Sequence, residues 1–355
     1  MRPRIAPVVL PHAHCEPGCP LCPSADGQLA PPPVPDPSWV HDAVARARER
    51  YGNAPIELAF YGGDLWSLPR GPRTALLDAA ETEVRRRRVQ GIRLSMGARS
   101  VLRAPLGEFR ARGVRAIEVT VLSLHPATLR ALGVTRGARS ALGAIGRLHR
   151  ARIRAIATLM PGLPMSSHRS AVTTAEAVSR TRPSGVRLLP ALALGGTRLG
   201  DLFERGAWVP MEVREAITTC REQIRVFRAG GTPIVRVGLQ PDQDLWAAPP
   251  ILGGPWEPSL RTLVESDLLR GIATDAVRGI WRFGTRAVTF VVNPREESWL
   301  RGHENRTLRG LQERFRLDSI RVLPLPEQPR GTIRALSGLK DPGDVPPLRG
   351  ARKAS

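Results

Sequence analysis

The chain has 355 residues, 42% of them hydrophobic, with 53 Lys and Arg against 32 Asp and Glu, for a formal charge of +21. That length holds one large domain with an appendage or two modest domains, and no apolar run reaches the roughly eighteen residues of a membrane-spanning helix. Four cysteines, three of them clustered, exclude a disulfide framework and fit a reducing, cytoplasmic compartment. No small-residue cleavage site follows Met1-Arg2-Pro3-Arg4, so no secretory signal is expected. The charge excess is nearly all arginine. It reads either as phosphate neutralisation on a nucleic acid or as the codon bias of a G+C-rich genome, which 34 Gly and 34 Pro also fit.

The first apolar run, Val8-Val9-Leu10, leads into Cys15, Cys19 and Cys22, spaced C-x3-C-x2-C. Pro17-Gly18 and Cys19-Pro20 curl this loop, so the thiols converge as soft ligands for iron–sulfur, zinc or copper. Structural zinc and protein-only clusters normally take four protein ligands, so three thiols leave one metal corner open. A zinc site completed by His12 or His14 is the alternative. The proline-rich stretch 31–37 reads as an extended connector. Ser38 is the expected N-cap of a helix over 38–51. A strand over 56–61 stops at Gly62-Gly63, followed by a helix over 71–89, a strand over 92–96 and a short helix over 103–112.

The alternation continues with strands at 114–121, 153–160, 186–190 and 234–239. Helices at 126–131, 138–151, 167–181 and 211–229 lie between them, the last closing at Gly230-Gly231. The arginine run Arg85-Arg86-Arg87-Arg88 and the arginines of 136–154 fall on expected helices, where a solvated face is the plain reading. Strand-then-helix units of roughly 25–40 residues imply parallel strands with helical crossovers. The expected class is therefore α/β, a partial (β/α)6-type TIM-like barrel over residues 1–250. A small α/β appendage over 251–340 would hold a loop at 251–256, helices at 258–272 and 303–315, and strands at 286–292 and 319–324. A basic tail would cover 341–355.

Chemistry in parallel barrels gathers at the C-terminal strand ends. Here that means the cysteine loop, Gly62-Gly63-Asp64, Ser95, the 119–124 stretch, Met160-Pro161-Gly162 and Gln240. Glu118, Arg187 and Arg236 are charged residues in otherwise apolar strands, so they either pair with one another or face the cavity. Tyr61 and Cys220 read as core residues, and Gln240 as a substrate contact or a turn cap.

C-x3-C-x2-C after the first strand resembles the radical S-adenosylmethionine superfamily. Phe60-Tyr61-Gly62-Gly63-Asp64 resembles that family's glycine motif, and Met160-Pro161-Gly162-Leu163-Pro164 its strand-five turn. Gly196-Thr197-Arg198-Leu199, the 235–241 stretch and Gly302-His303-Glu304-Asn305 resemble the bacterial branch related to the Elongator catalytic subunit and to oxygen-independent coproporphyrinogen oxidases. The resemblance implies a [4Fe-4S] cluster on Cys15, Cys19 and Cys22, with S-adenosyl-L-methionine chelating the fourth iron and yielding a 5′-deoxyadenosyl radical. It further implies that Gly62, Gly63 and Asp64 hold the methionine moiety, and that Ser95, Glu118 and Arg187 line the nucleoside or substrate pocket. A flavodoxin- or ferredoxin-type electron donor is implied, with tRNA or other RNA as a candidate substrate and no membrane partner. Three departures stand out: Asp64 in the glycine motif, Gly97-Ala98-Arg99 where the branch carries Arg-Pro-Asp, and Leu122 where it carries Gln. The alternative is a non-catalytic iron–sulfur or zinc protein on a degenerate barrel.

Overall fold

The computed structural model describes residues 3–11, 19–20, 33, 35–134, 137–239, 249–282 and 284–347. The chain divides into two compact units, Met1–Pro258 and Ser259–Ser355.

In the first unit, seven parallel strands form one curled sheet. They are β1 (Arg4–Leu10), β2 (Ile56–Gly62), β3 (Ile92–Gly97), β4 (Val114–Leu122), β5 (Arg154–Leu159), β6 (Gly185–Leu188) and, after the two-residue β7 (Ala193–Leu194), β8 (Ile234–Val237). The order β1-β2-β3-β4-β5-β6-β8 means that each crossover returns the chain beside the strand it left. The result is the expected partial barrel, an open sheet built by six crossovers. The connecting helices are α1 (Ser38–Tyr51), α2 (Arg70–Arg85), α3 (Ala98–Arg103), α4 (Leu106–Ala111), α5 (Pro126–Ala131), α6 (Gly137–Arg150), α7 (His168–Ser179), α8 (Arg198–Glu204) and α9 (Val213–Ala229).

The strands are buried on both faces, as helix-covered parallel sheets must be. Ile56, Leu58, Phe60, Ile92, Leu94, Met96, Ile117 and Val119 are all inaccessible to solvent. Each such side chain removed from water contributes about 1.5–3 kcal/mol. Helix α1 supplies a matching stripe of Val40, Ala43, Val44 and Ala47.

Several local expectations change. Ser38 is the first helical residue of α1 rather than its cap; the side chain of Asp36 accepts the Ser38 N–H at 2.7 Å. The short Asx turn satisfies the donor from two residues upstream and holds the Asp36 carboxyl below its usual range. Helix α2 stops at Arg85, and the run that follows leaves the helix, with Arg87 left-handed at φ 56°. Half of this run is paired: Arg85 with Glu81, and Arg88 with the buried Glu83, which His41 also meets at 2.8 Å. The stretch expected as a loop at 251–256 contains β9 (Ile251–Gly253), paired antiparallel with β7. Both strands are too short for periodicity to register.

The second unit packs α10 (Leu260–Ile280), α11 (Glu297–Arg301) and α12 (Arg306–Phe315) with a three-stranded sheet ordered β11-β10-β12. Strand β10 (Ala287–Val292) runs parallel to β11 (Ser319–Pro324) and antiparallel to β12 (Arg334–Ser337). Leu269, Ala273, Val277, Phe290, Leu300 and Leu311 fill its core. Helix α12 begins at Arg306, not at 303, because Glu304 and Asn305 sit in the left-handed region at φ 50° and 59°. No described helix is long and apolar enough to cross a membrane.

Candidate active site

Strands β1 and β2 pair in register from Arg4 with Ile56 to Leu10 with Gly62, so the root of the cysteine loop lies beside the glycine pair. Gly63 N–H donates to the Leu10 carbonyl at 2.9 Å. A Cβ on Gly62 would collide with the Leu10 carbonyl oxygen, and one on Gly63 with that of Pro11. Gly62 also has φ 76°, which an L side chain resists. The glycines are therefore required by close backbone approach at the point where the chain turns into the cysteine loop.

Cys19 is part-buried, and the Leu199 N–H reaches the carbonyl of Pro20 at 3.4 Å. Pro20 thus meets the Gly196-Thr197-Arg198-Leu199 turn, where Thr197 caps α8 by accepting the Gly200 N–H at 3.2 Å. Cys15, Cys22, His12, His14 and Gln240 lie outside the described residues.

Asp64 is buried, and both its carboxylate oxygens take backbone donors. Oδ1 accepts from Trp66 N–H at 2.9 Å and Oδ2 from Gly97 N–H at 2.8 Å. It ties the C-terminal end of β2 to that of β3. Ser95 stands half-buried on β3 in register with Glu118 of β4.

Glu118 is 1% exposed and sits between two arginines. Its Oε1 accepts from Arg93 at 3.1 Å and its Oε2 from Arg187 at 2.7 Å. Arg93 also donates through Nε to Glu57 at 2.9 Å, and Arg154 pairs with the other Glu57 oxygen. The inward face of β2 to β6 therefore carries an alternating ladder, Arg154–Glu57–Arg93–Glu118–Arg187. The Arg187 guanidinium ends it 5.3 Å from the Tyr61 ring centre, one residue before Gly62. Burial alone would lower the Arg93 pKa, but Tyr61, Glu57 and Glu118 outweigh it and hold that pKa above its ordinary value. Arg236 stands in register beside Arg187.

The sequence reading singled out Glu118 and Arg187 but missed Glu57, Arg93 and Arg154. The available signal was the same: a charge at an inward position of an apolar strand. Cross-strand register alone shows which charges meet.

Beyond the ladder, the strand ends carry an apolar cluster of Met160, Leu163, Leu189, Leu192, Leu194 and Trp208, and Leu122 packs against it. Leu122 is left-handed at φ 61°, at an irregularity in the β4–β5 pairing. Such a conformation costs a non-glycine residue about 1 kcal/mol or more, which burial of its side chain helps to offset. Trp208 donates to the Gly162 carbonyl at 3.2 Å and so fixes the turn after β5. Cys220 lies fully buried in α9, away from these strand ends in sequence, and burial pushes its thiol up to about 12.

Seven parallel strands in one sheet, with a glycine pair and turns at their C-terminal ends, define an open α/β partial barrel. Residues 183–270 match the Radical_SAM C-terminal domain family model. The structure is similar to that of archaeal Elp3 from Methanocaldococcus infernus, at 17% identity and a TM-score of 0.56, covering 71% of this chain and 62% of that one. It is also similar to HydG, a maturase of the [FeFe]-hydrogenase, at 14% identity and a TM-score of 0.49, covering 73% and 54%. Coproporphyrinogen III oxidase (HemN) from Escherichia coli gives 15% identity and a TM-score of 0.45, covering 65% and 53%. No curated protein matches the sequence. The chain spans 62% of the length of the archaeal Elp3 chain, less than two thirds. Residues 183–270 thus resemble the Radical_SAM C-terminal domain, and the fold is similar to that of archaeal Elp3.

Proposed function

We propose that the protein is a radical S-adenosylmethionine enzyme whose Cys15, Cys19 and Cys22 hold a [4Fe-4S] cluster. The observation that supports this reading is the close approach of Gly62 and Gly63 to Leu10 and Pro11, just ahead of the cysteine motif, where any Cβ would strike those carbonyls. The donor set fits the group: three soft thiols from one loop, with one metal corner left for the amino and carboxylate groups of S-adenosyl-L-methionine. When bound and reduced, the cluster and S-adenosyl-L-methionine supply the 5′-deoxyadenosyl radical, the hydrogen-abstracting species.

The chain's own residues then shape and dry the site. Gly62, Gly63 and Asp64 set the backbone on which the methionine moiety would rest, and Ser95, in register with Glu118, would line the pocket beside it. Glu118 and Arg187, paired at 2.7 Å, would form a wall of that pocket. The electron comes from an external donor of flavodoxin or ferredoxin type. RNA is the substrate candidate to test first.

The test is anaerobic reconstitution with iron and sulfide, followed by a dithionite assay for 5′-deoxyadenosine with and without cell RNA. Wild type is expected to turn brown and release 5′-deoxyadenosine. Cys19→Ser is expected to lose both, and retention of both by this variant would sink the assignment. One observation favours the non-catalytic alternative: Asp64, Glu118 and Arg187 already spend their polar atoms on protein partners. A colourless protein carrying stoichiometric zinc would decide for it.

A further inference from the structure

Residues 119–175 contain no Asp or Glu and eight arginines, the most one-sided charge distribution in the barrel unit. The segment covers the end of β4, helices α5 and α6, strand β5 and the start of α7. Two of its arginines are engaged internally: Arg154 pairs with Glu57, and Arg147 donates to the Val101 carbonyl at 2.5 Å. Arg130 and Arg139 are exposed and meet no carboxylate among the described residues.

These two arginines stand at the same opening. A cavity of about 940 Å3 lies between α5 and the first turn of α6, with Leu124, Pro126, Leu129 and Val134 among its apolar lining and Arg130 and Arg139 beside them. Val134 N–H closes the C-terminal turn of α5 onto the Leu129 carbonyl at 2.8 Å, which keeps this wall in place. Arg198 of α8 donates to the Leu132 carbonyl at 3.0 Å and braces the same turn from behind.

We infer that this face docks an acidic protein segment that places one apolar side chain in the cavity between Arg130 and Arg139. Charge complementarity selects a polyanion, since the segment carries no carboxylate of its own and Arg130 and Arg139 meet none among the described residues. The cavity then selects among polyanions. None of the residues lining the cavity is aromatic, so it offers no platform on which single-stranded bases could stack. A duplex backbone, in turn, offers nothing apolar to fill a pocket lined by leucine, proline and valine. An anchor residue flanked by Asp or Glu satisfies both features, in the manner of interface hot spots.

The probe is a pair of fluorescein-labelled, glutamate-rich peptides of roughly twelve residues, one with a central Leu-Phe anchor and one with Ser-Ser, read by anisotropy on the full chain. The anchored peptide is expected to bind wild type roughly tenfold tighter than the Ser-Ser peptide. Arg130→Glu with Arg139→Glu should weaken it by roughly tenfold or more. Arg306→Glu with Arg309→Glu, which changes the net charge equally on exposed positions of α12, should weaken it far less. Ala138→Trp, which intrudes into the cavity from its lining without changing charge, should reduce the advantage of the anchor. Circular dichroism screens each variant for folding, and the charge variant and the cavity variant decide independently. Equal binding of both peptides, or equal loss in both charge variants, overturns the inference. So does a single-stranded RNA of about twenty nucleotides that discriminates the two charge variants when the anchored peptide does not.

Discussion

A methyl group on Gly63 has nowhere to go, because the Pro11 carbonyl oxygen occupies the position that a Cβ would take. This contact joins the second strand to the first four residues ahead of Cys15. Gly63→Ala is therefore expected to displace the loop root and lower iron incorporation severalfold, with the far-ultraviolet spectrum unchanged. Iron content after reconstitution measures it; full loading would mean that the glycines serve only the turn. Cys220 illustrates the opposite kind of residue. Its thiol is neutral in the fold, pushed up to about 12 by burial alone, against about 8.5 for an exposed thiol. The fold therefore binds this proton more tightly than the unfolded chain does. Its stabilisation is complete below about pH 8.5 and falls as the pH rises toward 12. Iodoacetamide at pH 8 should label Cys220 only after denaturation, as peptide mass mapping can show.

At the scale of elements, the inward ladder is the feature that the strands assemble and no strand contains. Glu57, Arg93, Glu118, Arg154 and Arg187 come from five different strands, β2 to β6, and meet because parallel register aligns their pleats. Each buried charge is tolerable only with its neighbours, so removing one rung strands the next. Arg93→Met should lower unfolding stability by about 3–5 kcal/mol, because Glu57 and Glu118 each lose a donor while buried. Chemical denaturation checks this, and a loss under about 1 kcal/mol would mean that water or Arg154 and Arg187 satisfy both carboxylates. Helix and strand existence was legible from periodicity, since apolar runs and glycine stops recur at regular spacing. The ends were less so: the start of α1 depended on the Asp36 side chain, and that of α12 on two left-handed residues. Strands β7 and β9 carry too few residues for any pattern and exist only by pairing with each other.

For the whole molecule, the charge of +21 sets a background attraction to any polyanion. Nonspecific RNA binding should therefore weaken steeply with salt. Two Arg→Glu changes remove four units, from +21 to +17, so the paired variants at Arg130 and Arg139 and at Arg306 and Arg309 should shift that binding alike. A salt titration with mixed-sequence RNA checks this; a different salt slope for one variant would locate the RNA on that face. The order of chemical motifs along the chain already determined the class of fold and pointed to one loop as the place for a metal. Cysteine spacing and strand-end glycines report backbone constraints that are local in sequence. Which charges neutralise one another, that Asp64 is engaged by Trp66 and Gly97, and that Arg130 and Arg139 share a cavity were decided only by the tertiary structure. The reason is physical: ion pairing and concavity depend on distances between strands and helices far apart in sequence, and residue periodicity carries no information about those distances. The cysteine motif is the exception, because its three thiols are close in the chain.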